Sequence, residues 1–366
     1  SSFYCGVFHC LNMRLLQVTF LALQATALVE AGFIKWTLHS SCYRDAAGAD
    51  DPATADAIIN AVETAKKWAS NGETALRNSN IPLIGKNLKK VLENLLGTGD
   101  SYKEKLEIAR GMTIHFPGQP KKFKLFKELE GPIGKDGPPD ARYENSQAWR
   151  DLAGTDEHHK HFVISCRPDL TVVDPDNEDA GWTDNIRGVV EQGKSDLPTM
   201  LSQEAMPWTD IMKQPGVPLA VTRRIENPSQ DQLRVVASVT FHPSFLNYLR
   251  QNNWGAWTDA LFADNTRGDA LQEYRLKGGR ARPVDGLLTF SIVKTMFHEM
   301  FHLGPWGAMT DASFSGRAYG WLNNIEDKFT DNPDWFAMLA AAIELYENGF
   351  AGKKYVVTEL GEVKRK

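Results

Sequence analysis

The feature that most constrains this chain is a long apolar run over residues 287–303, which contains neither proline nor glycine and is followed by Gly304-Pro305. Its length and apolar content predict a buried helix that ends at the glycine. Within the run stand His298, Glu299 and His302, in the spacing HExxH. Residues four apart on a helix lie on one face, a turn from each other. The sequence therefore predicts a helix that presents two imidazoles side by side.

Two imidazoles in this arrangement can bind one zinc ion. Glu299 follows His298 directly, so its carboxylate would reach a water on that ion and act as a general base. Two histidines and a salt-bridged glutamate inside a core helix would give the same pattern. The apolar helix and its glycine end favour the zinc interpretation, with one catalytic Zn²⁺ as the cofactor.

A catalytic zinc ion needs three protein ligands and an open position for water. Two downstream carboxylates are candidates for the third ligand. Asp311 lies nine residues after His302 on a glycine-containing stretch that can turn back, and Glu326 stands further along, after Asn323-Asn324. A site without a third protein ligand of either kind is the remaining possibility.

The stretch from His298 through Leu345 resembles the aspzincins, the family of deuterolysin and of fungal peptidyl-Lys metalloendopeptidases. In that family HExxH is followed by a Gly-Thr-x-Asp-x-x-Tyr-Gly loop, whose aspartate is the third zinc ligand. This chain has Thr310-Asp311 at the matching distance and Tyr319-Gly320 further on. It then has Asn332-Pro333-Asp334, which is similar to the run that opens the family's last helix.

The resemblance implies an α+β, zincin-like fold, mostly helical, with a small sheet over the HExxH helix. It implies a metalloendopeptidase in which His298, His302 and Asp311 bind zinc and Glu299 is the catalytic base. Tyr319 would donate a hydrogen bond to the oxyanion of the tetrahedral intermediate. An edge strand of the sheet, which we place at 233–241, would pair with extended substrate.

Asp334 matches a family position that helps to hold a substrate lysine in the lysine-selective members, where a carboxylate is the natural partner. A plain residue in the first turn of a helix is the alternative for Asp334. Ala337 stands where a second acidic residue of such a pocket would be expected, so we do not expect strict lysine selectivity.

The loop after the helix departs from the family pattern, because seven residues stand between Asp311 and Tyr319 where the family has two. Counted back from Tyr319, the ligand position falls on Gly316, which cannot bind a metal. Counted forward from His302, it falls on Asp311. We therefore expect Asp311 to be the ligand, with a loop inserted at 312–316.

The first 31 residues are expected to be a secretory signal peptide with an upstream extension over residues 1–12. Met13 and Arg14 open an apolar run that ends at Val29-Glu30-Ala31, a pattern typical of cleavage before Gly32. A membrane anchor is the alternative, although polar residues interrupt the run and a spanning helix needs about 20 apolar residues. We expect a secreted, extracellular protein without a membrane-bound part after cleavage.

Cleavage would leave Cys42 and Cys166, an even pair in an extracellular protein, and this predicts a disulfide between them. Two free buried thiols are the alternative.

Beyond the signal, the pattern predicts a helical N-terminal part (32–112), a Pro/Gly-rich loop or linker (113–160) and a zincin-like catalytic part (161–366). One domain over 32–366 is the alternative. A front half acting as an inhibitory pro-segment is also open, although the predicted disulfide would tie it to the rest. Apolar periodicity predicts helices and short apolar runs predict strands; the helices are 51–77, 84–96 and 100–111, and the strands are 33–39, 161–168 and 233–241.

The charge balance excludes a nucleic-acid-binding function, because 41 basic and 46 acidic residues give a net charge of -5. The expected partners are protein or peptide substrates, and we expect a monomer. The alternative function is a secreted protein that binds or captures zinc, or a degenerate peptidase without turnover. Capture needs no general base, so the presence of Glu299 favours an enzyme.

Overall fold

The computed structural model describes fourteen stretches of the chain; they are 34–44, 49–79, 86–109, 129–131, 161–166, 171–173, 182–184, 189–191, 207–211, 218–223, 237–303, 309–311, 317–328 and 330–366. Their architecture is α+β, as predicted. Residues Lys35–Lys366 form one compact unit. The predicted signal peptide and most of the predicted loop over 113–160 lie outside the described residues. Within them, no helix is both long and apolar enough to cross a bilayer.

Three helices follow one another in the front half, each within two residues of the predicted bounds. They are α1 (Pro52–Asn78), α2 (Lys86–Leu96) and α3 (Gly99–Ala109). Proline at the first position starts α1, where its missing N–H costs nothing. The predicted apolar face of α1 is buried and contains Ile58, Val62 and Trp68.

The main sheet has five strands in the order β2 (Leu129–Glu130), β1 (Ile34–Leu38), β3 (Phe162–Ser165), β8 (Ala237–Phe241) and β7 (Ala220–Arg223). Its central strands β1, β3 and β8 run parallel, and β7 pairs antiparallel with β8. A separate antiparallel sheet consists of three short strands; they are β4 (Thr171–Val173), β5 (Trp182–Asp184) and β6 (Val189–Glu191).

The position of β8 corrects one prediction. The strand expected over 233–241 was assigned to the sheet edge, but β8 lies between β3 and β7 and all five of its residues are buried. The strand at this edge of the sheet is β7, which falls in a stretch that gave no strand signal. Residues buried on both faces belong to an interior strand, whereas β7 keeps a half-exposed end at Thr222 and Arg223.

The back half is mostly helical around the long buried helix α11 (Pro333–Glu347), which packs against α1, α2 and α9 (Ile292–Met300). A terminal hairpin follows, with strands β9 (Tyr355–Val357) and β10 (Val363–Arg365). The helices of this half in the described residues are α4 (Trp208–Ile211), α5 (Pro243–Gln251), α6 (Asp259–Thr266), α7 (Ala270–Leu276), α8 (Pro283–Leu288), α9 (Ile292–Met300), α10 (Trp321–Asp327) and α11 (Pro333–Glu347).

The single helix predicted over 287–303 is wrong, because the run contains two helices. α8 ends at Leu288 and α9 begins at Ile292. Ser291 adopts an extended backbone between them, and its hydroxyl accepts a hydrogen bond from the backbone N of Lys294, which caps α9. α9 ends at Met300, before the glycine that was expected to stop it.

The predicted disulfide between Cys42 and Cys166 is confirmed, with the two Cα atoms 5.0 Å apart. It joins the segment before α1 to the end of β3. Trp68 on α1 also packs against Phe297 on α9, with ring centroids 6.4 Å apart. The front half therefore contributes directly to the core behind α9.

Candidate metal centre

The two histidines converge at the end of α9. The last turn tightens there, since the backbone N of His302 bonds to the carbonyl of Glu299, three residues back. The two Nε2 atoms nevertheless lie 3.1 Å apart. His302 Nδ1 lies 2.7 Å from the carbonyl oxygen of Met309, which can only accept a hydrogen bond. Nδ1 therefore carries the proton in the neutral ring, and the lone pair of Nε2 points toward His298.

Asp311 completes this group of ligand atoms. Its Oδ1 lies 3.1 Å from Nε2 of His298 and 3.5 Å from Nε2 of His302. Ligand atoms placed tetrahedrally around zinc, with bonds of about 2.0–2.1 Å, are about 3.3 Å apart. The donor set and its spacing therefore fit a zinc ion. We refer to His298, His302 and Asp311 as the His–His–Asp cluster.

The electrostatics of the cluster also favour a cation. Burial works to lower the pKa of His302, but its hydrogen bond to Asp311 and the charges of Glu299 and Asp311 raise that pKa to about 9. Burial works to raise the pKa of Asp311, but hydrogen bonds and charge from the two imidazoles hold it well below its usual range. The cluster thus carries a fixed negative charge that either a proton or a metal ion can balance.

Glu299 lies beside the cluster in a buried position. One of its carboxylate oxygens lies within 4.8 Å of a ring nitrogen of each histidine. Its Oε2 accepts a hydrogen bond of 2.7 Å from the hydroxyl of Thr222 on β7. Burial raises the pKa of Glu299, while the charges of the two histidines and the bond from Thr222 oppose the rise. Thr222 was not anticipated from the sequence.

Tyr319 lies against the cluster, with its ring stacked on that of His298 at a centroid distance of 5.6 Å. The side chain is 53% exposed, so one face is open. Burial around the hydroxyl, followed by the charge of Asp311 and a hydrogen bond to it, raises the pKa of Tyr319 above its usual value. The hydroxyl is therefore a proton donor at neutral pH.

Two buried carboxylates hold the turn that carries Tyr319. Asp334 Oδ2 accepts a hydrogen bond of 2.9 Å from the backbone N of Gly320, and Asp285 Oδ1 accepts one of 2.8 Å from that of Trp321. Gly320 has φ +92°, a conformation that favours glycine. Burial raises the pKa of Asp285 to about 6, against the effect of its hydrogen bonds.

Asp334 is not at the cavity surface. Its side chain is 0% exposed, and its Oδ1 forms an ion pair with Lys294 of the same chain. Its Oδ2 also accepts a bond of 2.7 Å from the side chain of Asn324. Both oxygens are thus engaged by internal groups, and this placement does not support the expectation that Asp334 receives a substrate lysine. Lys294, rather than Asp334, lines the cavity.

Glu326, the alternative third ligand, forms an ion pair with Arg280, and its side chain is 57% exposed. It is not among the residues that line the cavity over the cluster. The structure therefore brings Asp311, and not Glu326, to the two histidines. Gly316 and the expected insertion at 312–316 lie outside the described residues.

A cavity of about 820 Å³ opens over the cluster. Strand β7 forms one wall through residues 220–222, and Arg280, Asp285 and Lys294 contribute to the remainder. The cluster, Glu299 and Tyr319 thus all face one space that is large enough for several residues of a peptide.

Comparison of the chain with family models, with curated proteins and with solved structures gave no significant match. The resemblance to the aspzincins therefore rests on the sequence motifs alone.

Proposed function

We propose that this protein is a zinc-dependent metalloendopeptidase of the aspzincin type, with His298, His302 and Asp311 as the metal ligands. The observation that carries the proposal is the convergence of three ligand atoms, 3.1–3.5 Å apart, beneath an open cavity. A buried carboxylate, Glu299, lies directly beside them. A core helix with two structural histidines has no need of either the third ligand atom or the cavity.

Zinc bound by these three groups would polarise the peptide carbonyl and make a water more acidic. Glu299 would accept a proton from the water while the water oxygen attacks the carbonyl carbon. It would then pass that proton to the leaving nitrogen as the C–N bond breaks. Tyr319 would donate its hydroxyl proton in a hydrogen bond to the oxygen that becomes negative.

Strand β7 supports a peptide as the substrate. The backbone N of His242 bonds to the carbonyl of Leu219, so antiparallel alternation turns Leu219 and Val221 toward β8. The backbone groups of Ala220 and Thr222 then face away from the sheet, and both residues line the cavity. An extended peptide would pair with them as an added strand.

Secretion is part of the proposal. A disulfide persists in an oxidising compartment, and the Cys42–Cys166 bridge joins residues that are 124 apart in sequence. Together with the leader pattern over residues 1–31, it supports an extracellular protein. We further propose that its partners are protein or peptide substrates and that it acts as a monomer.

The test is the zinc content of the purified full-length protein, measured with casein cleavage on the same samples. We expect about one zinc per chain in the wild type. Asp311→Ala should lose both zinc and cleavage, and Glu299→Gln should keep zinc but lose cleavage. Glu326→Ala is the matched control, because it removes a carboxylate that lies outside the cavity lining, and it should keep both.

Each deviation from this pattern has a distinct meaning. Zinc retained by Asp311→Ala but lost by Glu326→Ala would transfer the third-ligand role to Glu326. Stoichiometric zinc without any cleavage by the wild type would favour a zinc-capturing protein or a degenerate peptidase.

A further inference from the structure

Thr222 connects the edge strand to the buried glutamate. It lies 77 residues before Glu299 in the sequence, and its hydroxyl donates to Glu299 Oε2 over 2.7 Å. The backbone carbonyl oxygen of Glu299 is 3.2 Å from the same hydroxyl. Strand β7 packs against α9 along this contact. One hydroxyl therefore contacts both the side chain and the backbone of Glu299.

This contact restricts the orientation of the carboxylate. Glu299 is 6% exposed, so little bulk solvent surrounds the carboxylate. Threonine is β-branched and has few χ1 rotamers in a strand, so its hydroxyl is directed by the strand itself. The bond engages Oε2 and leaves Oε1 as the oxygen for an incoming proton.

We propose that Thr222 is a positioning residue, which fixes the carboxylate of Glu299 in the orientation needed for proton transfer. The inference rests on the proposed function. It adds that the general base is aligned by the same strand whose backbone would pair with the peptide. A correctly placed peptide and a correctly placed base then depend on one rigid element.

The experiment compares Thr222→Val, which has nearly the same shape but no hydroxyl, with Thr222→Ser, which restores the hydroxyl. Thr240→Val is the matched control. Thr240 is a buried threonine on the adjacent strand β8, and its hydroxyl has no hydrogen-bond partner among the described residues. Casein-derived peptide cleavage, zinc content and thermal unfolding are measured for the wild type and each variant.

We expect Thr222→Val to lower kcat by about 10- to 100-fold, the scale of a partly misaligned general base, with KM within about twofold. Thr222→Ser should recover most of the loss, and Thr240→Val should change neither parameter. Zinc content should stay the same in all variants. In a Glu299→Gln background, Thr222→Val should cause no further loss of the residual rate.

Several outcomes would overturn the inference while leaving the proposed function intact. These are an unchanged kcat in Thr222→Val, a loss confined to KM, or a Thr222→Ser variant as slow as Thr222→Val. A wild-type protein that neither binds zinc nor cleaves peptides would overturn the proposed function, and the inference with it.

Discussion

The buried ion pair between Lys294 and Asp334 gives the sharpest prediction about stability. Asp334 is 0% exposed, and the side chain of Lys294 is 11% exposed. Lys294→Met removes the cation and keeps the volume. Asp334 Oδ1 would then face His298 Nδ1 at a distance of 4.0 Å. We expect the free energy of unfolding to fall by about 3–5 kcal/mol, the cost of a buried charge without its partner.

The double variant Lys294→Met/Asp334→Asn separates charge from shape. The asparagine oxygen can still accept from the backbone N of Gly320 and from Asn324, as Asp334 Oδ2 does. The free energy of unfolding of the double variant should therefore lie within about 1–2 kcal/mol of the wild-type value. The coupling free energy between Lys294 and Asp334 would then be about 2 kcal/mol or more, which marks a direct interaction.

Guanidinium chloride unfolding of the wild type, Lys294→Met, Asp334→Asn and the double variant, followed by circular dichroism, measures these differences. Asp334→Asn alone should cost less than Lys294→Met, since Lys294 borders the cavity and its ammonium can reach water. A Lys294→Met variant within about 1 kcal/mol of the wild type would refute the reasoning. So would an Asp334→Asn variant of normal stability that had lost a preference for substrate lysine.

Two further predictions concern pH and the disulfide. Burial lowers the pKa of His242 from 6.5 to about 4. Because only the unfolded state then takes up this proton between those values, up to about 3 kcal/mol of stability should be lost as pH falls from 6.5 to 4. His242→Asn keeps an acceptor for the backbone N of Ser244, and should show a shallower pH dependence in denaturant titrations. Replacing Cys42 and Cys166 with alanine should lower the free energy of unfolding by about 2–5 kcal/mol, and reduction of the wild type should match it; equal stability with and without the bridge would contradict this expectation.

Local patterns were sufficient to predict much of the front half. The apolar positions of α1 recur at helical spacing, so its start at Pro52 and its buried face followed from the sequence. The strands β1 and β3 are short apolar runs next to the paired cysteines. In contrast, β7 has only four residues, and it becomes a strand through its pairing with β8. No pattern within those four residues carries that information.

The break between α8 and α9 was concealed by continuous apolar composition. Ser291 was a visible signal, since serine before an apolar periodic segment is a favoured helix cap. In the site, local spacing placed the two histidines and Glu299, and counting forward from His302 selected Asp311. Thr222 was beyond prediction, because the contact with Glu299 depends on how two distant elements pack.

Residues 312–318 stand between two fixed points of the site. Asp311 is held by the histidines, and the turn at Gly320-Trp321 is held by Asp334 and Asp285. Neither anchor depends on how many residues separate them. Lengthening a connecting loop costs only about 0.6 kcal/mol per doubling. A change in the number of residues between two such anchors therefore costs little, and residue counts across this segment are a poor guide to ligand identity.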